Sequence, residues 1–222
     1  MSRRQRFGGE WETIPLGELE KRGDIGLYRG NVISQKDIDR IPGEYPIYSS
    51  SVHTDGLFGS YGEYMFDEEL ITWSVDGGGH FFYRPKHRFS VTNVCGYLRI
   101  RTSSIDYRYL AYHLQSLHSR TTFDYTLKAH PCVIRGFYTV ALPQLREQRA
   151  IAAVLGDVDG LIGSLEALIA KKRAVKQAAM QQLLTARTRL PGFGGEWETR
   201  RLGKLAKMSS GGTPLTSGGA YY

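Results

Sequence analysis

Six histidines, two cysteines and one run of carboxylates are the residues of this chain whose types could do chemistry. His80, His87, His113, His118 and His130 show no spacing with thiols or carboxylates that would hold a metal. Cys95 and Cys132 lie far apart, lack the paired Cys/His spacing of a zinc site, and read as small buried hydrophobes. Asp67-Glu68-Glu69 is the one acidic cluster on which a metal-dependent nuclease would draw. Its place before a strand-like run makes it an exposed acidic turn. Gly77-Gly78-Gly79 lacks both the Lys-Ser/Thr of a phosphate loop and the spacing of a dinucleotide fingerprint, which leaves a flexible loop. There is no Gly-x-Ser-x-Gly elbow and no His-Glu-x-x-His. The chain is therefore expected to be non-catalytic, with no cofactor of its own, and any catalysis to belong to a partner.

The charge pattern points to binding. Net charge is +7 over 222 residues, yet residues 1–142 carry 17 Lys and Arg against 16 Asp and Glu, while residues 143–222 carry 12 against 6. Within the near-neutral part, Phe81 to Ile105 holds Arg84, Lys86, Arg88, Arg99 and Arg101 with no carboxylate, interleaved with Phe81, Phe82, Tyr83, His87 and Phe89. That composition suits a phosphate-tracking surface. It suits equally a solvated strand face over packed aromatics.

The elements that must position these residues follow from pattern. YPIYSSSV, ELITWSV, GHFFYRP, FSVTNV and CGYLRI, between Tyr45 and Ile100, are rich in aromatic and β-branched residues and separated by Gly, Pro, Asp and Ser, which predicts a mostly β domain. Asp106 to Leu117 predicts a helix, with Leu110, Leu114 and Leu117 on one side. FYTVALP predicts a last strand stopped by Pro143. From Gln144 to about Thr185 no proline occurs, and Ile151, Val154, Leu155, Val158, Leu161, Ile162, Leu165, Leu168 and Ile169 make a stripe at spacings of three and four. Such a helix spans roughly 60 Å, and its stripe needs a partner beyond its own domain. Gly156, Gly160 and Gly163 mark a place for a break. Pro191 and Gly192, in the linker Ala186 to Gly195, are expected to end it.

FGGEWET at Phe7 to Thr13 returns at Phe193 to Thr199, and Leu16, Gly17 and Leu19 return as Leu202, Gly203 and Leu205 at the same offset of 186. This offset is too long for a solenoid, whose periods run roughly 20–50 residues, and fits duplication of a whole domain with its appended helix. The organisation expected is a domain at 1–142, a long helix at 143–185, and a linker with the start of a second, incomplete repeat at 186–222. No segment is a secretory signal or approaches the ~18 uninterrupted apolar residues of a membrane span, so a soluble, cytoplasmic protein is expected.

From Leu142 to Thr185, LPQLREQRAIAAVLGDVDGLIGSLEALIAKKRAVKQAAMQQLLT closely resembles the conserved region of the specificity (S) subunit of type I restriction-modification systems. There a Leu-Pro-x-Leu-x-Glu-Gln phrase opens a long helix; Gln144 stands where the family usually has a second proline. Tyr45 to Ile100 looks like a target-recognition domain of the same family, and LPGF with the following Trp and SSGGTPLTSGG resemble the entry into another. The resemblance implies an α+β fold: a mostly β target-recognition domain and a long, coiled-coil-forming helix. It implies two such domains per whole subunit, each reading one half of a bipartite site in double-stranded DNA. The two helices would pack antiparallel as a spacer and dock methyltransferase (M) subunits, with the restriction (R) subunit joining the complex. One domain and one helix further imply a homodimer of half-subunits reading a symmetric site.

Base readout needs donors and acceptors on loops, and Lys and Arg on phosphates. The DNA-binding candidates are Ser49, Ser50, Ser51 and His53 in a polar loop, Asp76 and His80 around the glycines, and Arg84, Lys86, His87 and Arg88 in a basic turn. Lys128, His130 and Arg135 join them because TLKAHPCVIRG falls where the family usually keeps a polar loop contacting DNA. Helix pairing is assigned to Ile151, Leu155, Val158, Ile162, Leu165, Ile169 and Leu183. Trp11 and Trp197 read as packing anchors. Two alternatives stay open: the specificity module of a related two-component restriction enzyme, and a helical scaffold whose β domain binds protein.

Overall fold

A computed structural model describes residues 11–51, 54–76, 80–124, 126 and 128–212. The chain divides into a unit comprising residues 1–160 and another comprising 161–222. The first unit opens with β1 (Glu12–Pro15), α1 (Leu16–Arg22), β2 (Ile25–Arg29) and α2 (Gln35–Arg40). The strands β3 (Tyr45–Tyr48), β4 (Leu57–Tyr61), β5 (Phe66–Ser74), β6 (Phe81–Val91) and β7 (Cys95–Ile100) follow. Then come α3 (Tyr107–Ser119), α4 (Pro131–Phe137), β8 (Thr139–Leu142) and the long α5 (Leu145–Leu183). Six strands form one mixed sheet in the order β2-β7-β5-β6-β3-β4, and β1 pairs with β8 in a separate antiparallel ribbon.

The main core lies where one face of the sheet meets α1, α3 and α4. Ile25, Leu27, Ile71, Trp73, Phe81 and Leu98 from strands pack with Leu16, Leu19, Leu110, Leu114 and Ile134 from helices. Trp73 is fully buried and donates its indole N–H to the Ala129 carbonyl at 2.7 Å. Its ring occupies the space beside Gly96, where an added Cβ would sit 2.1 Å from Cε2, so only glycine fits there. Gly17 likewise admits the Arg135 carbonyl, 3.1 Å from the place of a Cβ. The opposite face carries a smaller cluster of Phe66, Leu70, Phe89, Val91 and Cys95.

Several expectations are corrected. GHFFYRP and FSVTNV are one eleven-residue strand, β6, with Pro85 inside it. The ladder pairs Glu68 with His87 and Leu70 with Arg84, so Pro85 and Lys86 oppose Glu69 alone, and a bulge tolerates the missing N–H. Asp67-Glu68-Glu69 is not an exposed turn: it belongs to β5. Cys95 is buried, but Cys132 on α4 is exposed. TLKAHPCVIRG is not simply a polar loop, since Pro131 opens α4 and Ile134 is buried. The glycines of α5 do not break it; a cost of about 1 kcal/mol for each is too small to interrupt the i→i−4 ladder. It is also not Pro191 that ends this helix. α5 stops at Leu183, followed by Ala186 in the left-handed region at φ 58°.

In the second unit, the residues after α5 fold on themselves. Arg189 donates to the carbonyls of Gly194 and Gly195 and lies 5.6 Å over the Trp197 ring. A short helix α6 (Leu202–Leu205) follows. Leu202 and Leu205 are exposed, whereas their counterparts Leu16 and Leu19 are buried.

Candidate nucleic-acid interface

The sequence-derived candidates fall into separate groups. Around the C-terminal end of β5, Ser74 donates its hydroxyl to the Ser50 carbonyl at 2.8 Å, and Ala129 donates its N–H to the Val75 carbonyl at 2.8 Å. The polar loop and the 128–130 segment are thereby brought to the same strand end. Asp76 sits there in an ion pair with Lys128, 3.2 Å apart. Ser49 donates its N–H to the Gly56 carbonyl and accepts from the Thr92 hydroxyl, and Ser51 is half-buried beside it. His80, half-buried at the start of β6, has its Nε2 3.3 Å from the Gln115 amide. His130 is the N-cap residue of α4. His53 lies outside the described residues.

Lys86, His87 and Arg88 lie toward the other end of β5, roughly 20 Å away at about 3.3 Å per residue. Lys86 is exposed. The His87 imidazole stacks on Phe89 at 4.6 Å, with Nε2 3.1 Å from the Tyr48 hydroxyl. Arg88 donates to the Tyr45 hydroxyl at 3.1 Å, pairs with Asp67 at 3.5 Å and lies over the Tyr64 ring. Hydrogen bonding to Tyr45 holds its pKa above the usual arginine value. Arg135 belongs to neither group, because it pairs with Glu20 of α1 at 2.9 Å.

Arg84 is not part of an exposed basic turn. Only 5% of it is accessible; its guanidinium lies 3.7 Å from the Tyr48 ring centre, and Nε donates to the Thr72 hydroxyl at 3.0 Å. Nη2 donates to the Asp55 carbonyl, inside a turn whose Thr54, Asp55 and Gly56 are all left-handed. Burial pulls its pKa down, though an arginine stays charged across the physiological range. Its charge holds the loop after β3 and is not presented to solvent.

The carboxylates of β5 account for more of the basic stretch. Glu68 accepts from Arg99 Nε at 2.9 Å, and Glu69 accepts from the Tyr83 hydroxyl at 2.6 Å. Desolvation and the Glu69 bond push the Tyr83 phenol up to about 12. A feature that strand-by-strand reading did not gather is a ladder on the sheet face opposite the helices. Tyr28 stacks on Tyr97 at 5.0 Å, flanked by Arg99 and Arg101. The register Tyr28↔Tyr97 places the rings side by side; a single sequence does not supply that pairing. Among the described residues, no three His, Cys, Asp or Glu side chains converge to hold a metal.

Of the residues expected to pair helices, Leu155, Val158, Ile162, Leu165 and Ile169 are 39–51% exposed, and Ile151 is half-buried. Leu183 lines an apolar cleft with Leu190, Phe193 and Trp197 at the end of α5. The helix thus carries an exposed apolar stripe.

A mixed-sheet domain followed by a 39-residue helix defines an α+β architecture. The family model of the type I restriction modification DNA specificity domain matches residues 9–172, and the chain belongs to that family. The specificity subunit of the type I restriction enzyme MpnII of Mycoplasma pneumoniae is 28% identical over 157 residues, which are 69% of this chain and 47% of that protein. That of MjaVIII, from Methanocaldococcus jannaschii, is 24% identical over 225 residues, covering 93% of this chain and 51% of that protein. The crystal structure of the S subunit of a type I restriction-modification system from M. genitalium shares the fold. Its TM-score is 0.61 at 17% identity, over 84% of this chain and 48% of that one. The chain spans about half the length of these relatives.

Proposed function

We propose that this chain is a non-catalytic specificity subunit that reads one half of a bipartite site in double-stranded DNA within a type I restriction-modification complex. Residues 1–142 form the reader, 143–185 the spacer helix, and 186–222 a linker and the start of a second repeat. The helix docks methyltransferase subunits, and through them the restriction subunit, and pairs with a second copy. The complex acts in the cytoplasm, and this chain contributes no cofactor. The observation that carries the reading is the uncovered apolar stripe on a helix continuous with a domain of the DNA-specificity family. A rigid rod between two readers converts half-site separation into geometry. The reading surface comprises the group at the end of β5 (Ser49, Ser50, Ser51, Asp76, His80, Lys128 and His130) and the exposed Lys86 with His87 and Arg88.

The test is co-expression with methyltransferase subunits of a type I system, light scattering of the purified assembly, and sequencing of the methylated sites. The expected result is two copies of this chain per assembly and a palindromic bipartite methylation motif. A folded chain that stays monomeric, binds random DNA without salt dependence and directs no methylation would sink the proposal and favour a protein-binding scaffold.

A further inference from the structure

Gln148 is the most deeply buried polar residue of α5, at 1% accessibility, and its side-chain amide is fully used. Nε2 donates to the carbonyls of Ser104 at 3.0 Å and Pro143 at 2.8 Å, while Oε1 accepts the Asp106 N–H at 2.9 Å. Asp106 is the N-cap of α3, with its own carboxylate accepting from the Tyr109 N–H at 3.0 Å. One amide therefore joins the first turn of α5 to the first turn of α3 and to the loop before it. Glutamate lacks the two donors and would face two carbonyl oxygens; leucine would leave all three backbone groups unpartnered.

Gln148, Ala152, Gly156 and Asp159 follow at intervals of four, four and three, and lie on one side of the helix. Ala152 is buried, and the Arg108 guanidinium of α3 reaches to 2.9 Å from where a Cβ of Gly156 would be. Asp159 accepts from the Tyr112 hydroxyl of α3. Three consecutive contacts along some 11 residues, roughly 16 Å of helix, fix a direction where a single contact would leave a hinge.

We infer that Gln148 is a positioning residue that sets the direction in which α5 leaves the domain and, with the Tyr112–Asp159 contact, the gap between half-sites. The step from direction to gap rests on the function proposed above. The direction itself does not, and the experiment separates the two. Spin labels on the exposed native Cys132 and on Asp157→Cys, in full-length chain diluted with unlabelled protein, report the angle of the helix to the domain. The unaltered joint gives one narrow distance distribution. Gln148→Leu broadens or shifts it, and Tyr112→Phe, which removes one hydroxyl and leaves the core intact, does so to a smaller degree. With methyltransferase subunits, both variants raise methylation at sites whose gap differs by one base pair by about tenfold relative to the native gap. A general loss of stability would lower methylation at every gap alike. Unchanged distance distributions in both variants overturn the assignment. A broadened distribution with an unaltered gap preference overturns the link to spacing, and absence of any bipartite motif in the unaltered complex overturns the proposed function instead.

Discussion

The Arg84 guanidinium lies 3.7 Å from the centre of the Tyr48 ring, beneath the loop that follows β3. A cation buried against a π face, with Thr72 and Asp55 taking its N–H groups, is committed to the structure. Arg84→Met removes the charge and leaves the Asp55 carbonyl and Thr72 hydroxyl without their donor. The expected destabilisation is about 2–4 kcal/mol, measured by urea unfolding. A loss below ~0.5 kcal/mol, the range of ordinary surface changes, would mean that Arg84 is free for another role.

Salt dependence separates this residue from its neighbours on β6. If Lys86 meets a phosphate, Lys86→Ala reduces the slope of log K against log salt by about one. Arg84→Lys leaves the slope as it was. Titrations of duplex DNA across a range of salt concentrations give both values, and equal slopes for all three proteins would remove Lys86 from the interface.

The stripe on α5 predicts a change of mass. In the proposed dimer, Leu165→Lys with Ile169→Lys puts four charges in place of four aliphatic side chains, a loss of at least about 6 kcal/mol at roughly 1.5 kcal/mol each. Sedimentation should show monomers, with the circular dichroism of the β domain retained. A dimer of undiminished stability would place the pairing surface elsewhere.

His113 predicts a pH dependence. Its Nε2 accepts the Ala141 N–H at 3.0 Å, so the ring must stay neutral at this atom, and burial, with Arg120 adding to it, holds its pKa below the ordinary value of 6.5. The unfolded chain therefore binds more protons in the window just below pH 6.5. Stability is fully present above that window and falls as pH drops through it toward the folded pKa, by at most about 1.4 kcal/mol per pH unit. His113→Gln keeps an acceptor and should flatten this part of the profile; an unaltered profile would assign the slope to another group.

The two thiols should differ in reactivity. Burial pushes the Cys95 thiol up to about 12, whereas Cys132 is exposed on α4. A thiol reagent at pH 8 is expected to modify one cysteine in the folded chain and the second only after unfolding. Rapid modification of both would show that the sheet opens at Cys95.

Much of the organisation was legible because it depends on local periodicity. The stripe from Ile151 to Ile169 lies on α5, Asp106 caps α3, which begins one residue after the expected start, and FYTVALP supplies β8. The family signature in Leu142 to Thr185 was readable for the same reason, since it is a continuous phrase. α1, β2 and α2 carried weaker signals. Leu16 and Leu19 on α1 join a core that includes Ile134 of α4 and Val140 of β8, more than 100 residues later in the chain.

What the sequence by itself determined was the kind of molecule: an α+β domain with a long amphipathic helix, a 186-residue repeat and the signature of a DNA-specificity family. Only the tertiary structure decided which polar residues are free to act. Arg84, Arg88 and Arg99 looked alike in a run without carboxylates, yet β5 brings Asp67 and Glu68 to the latter two, and Tyr48 covers the first. Gln148 looked like one helix-former among many, and becomes a joint only because Ser104 and Asp106 meet it. The physical reason is that a side chain's chemistry depends on its partners, and pairing across strands and helices joins residues that the linear order keeps 21 to 44 positions apart.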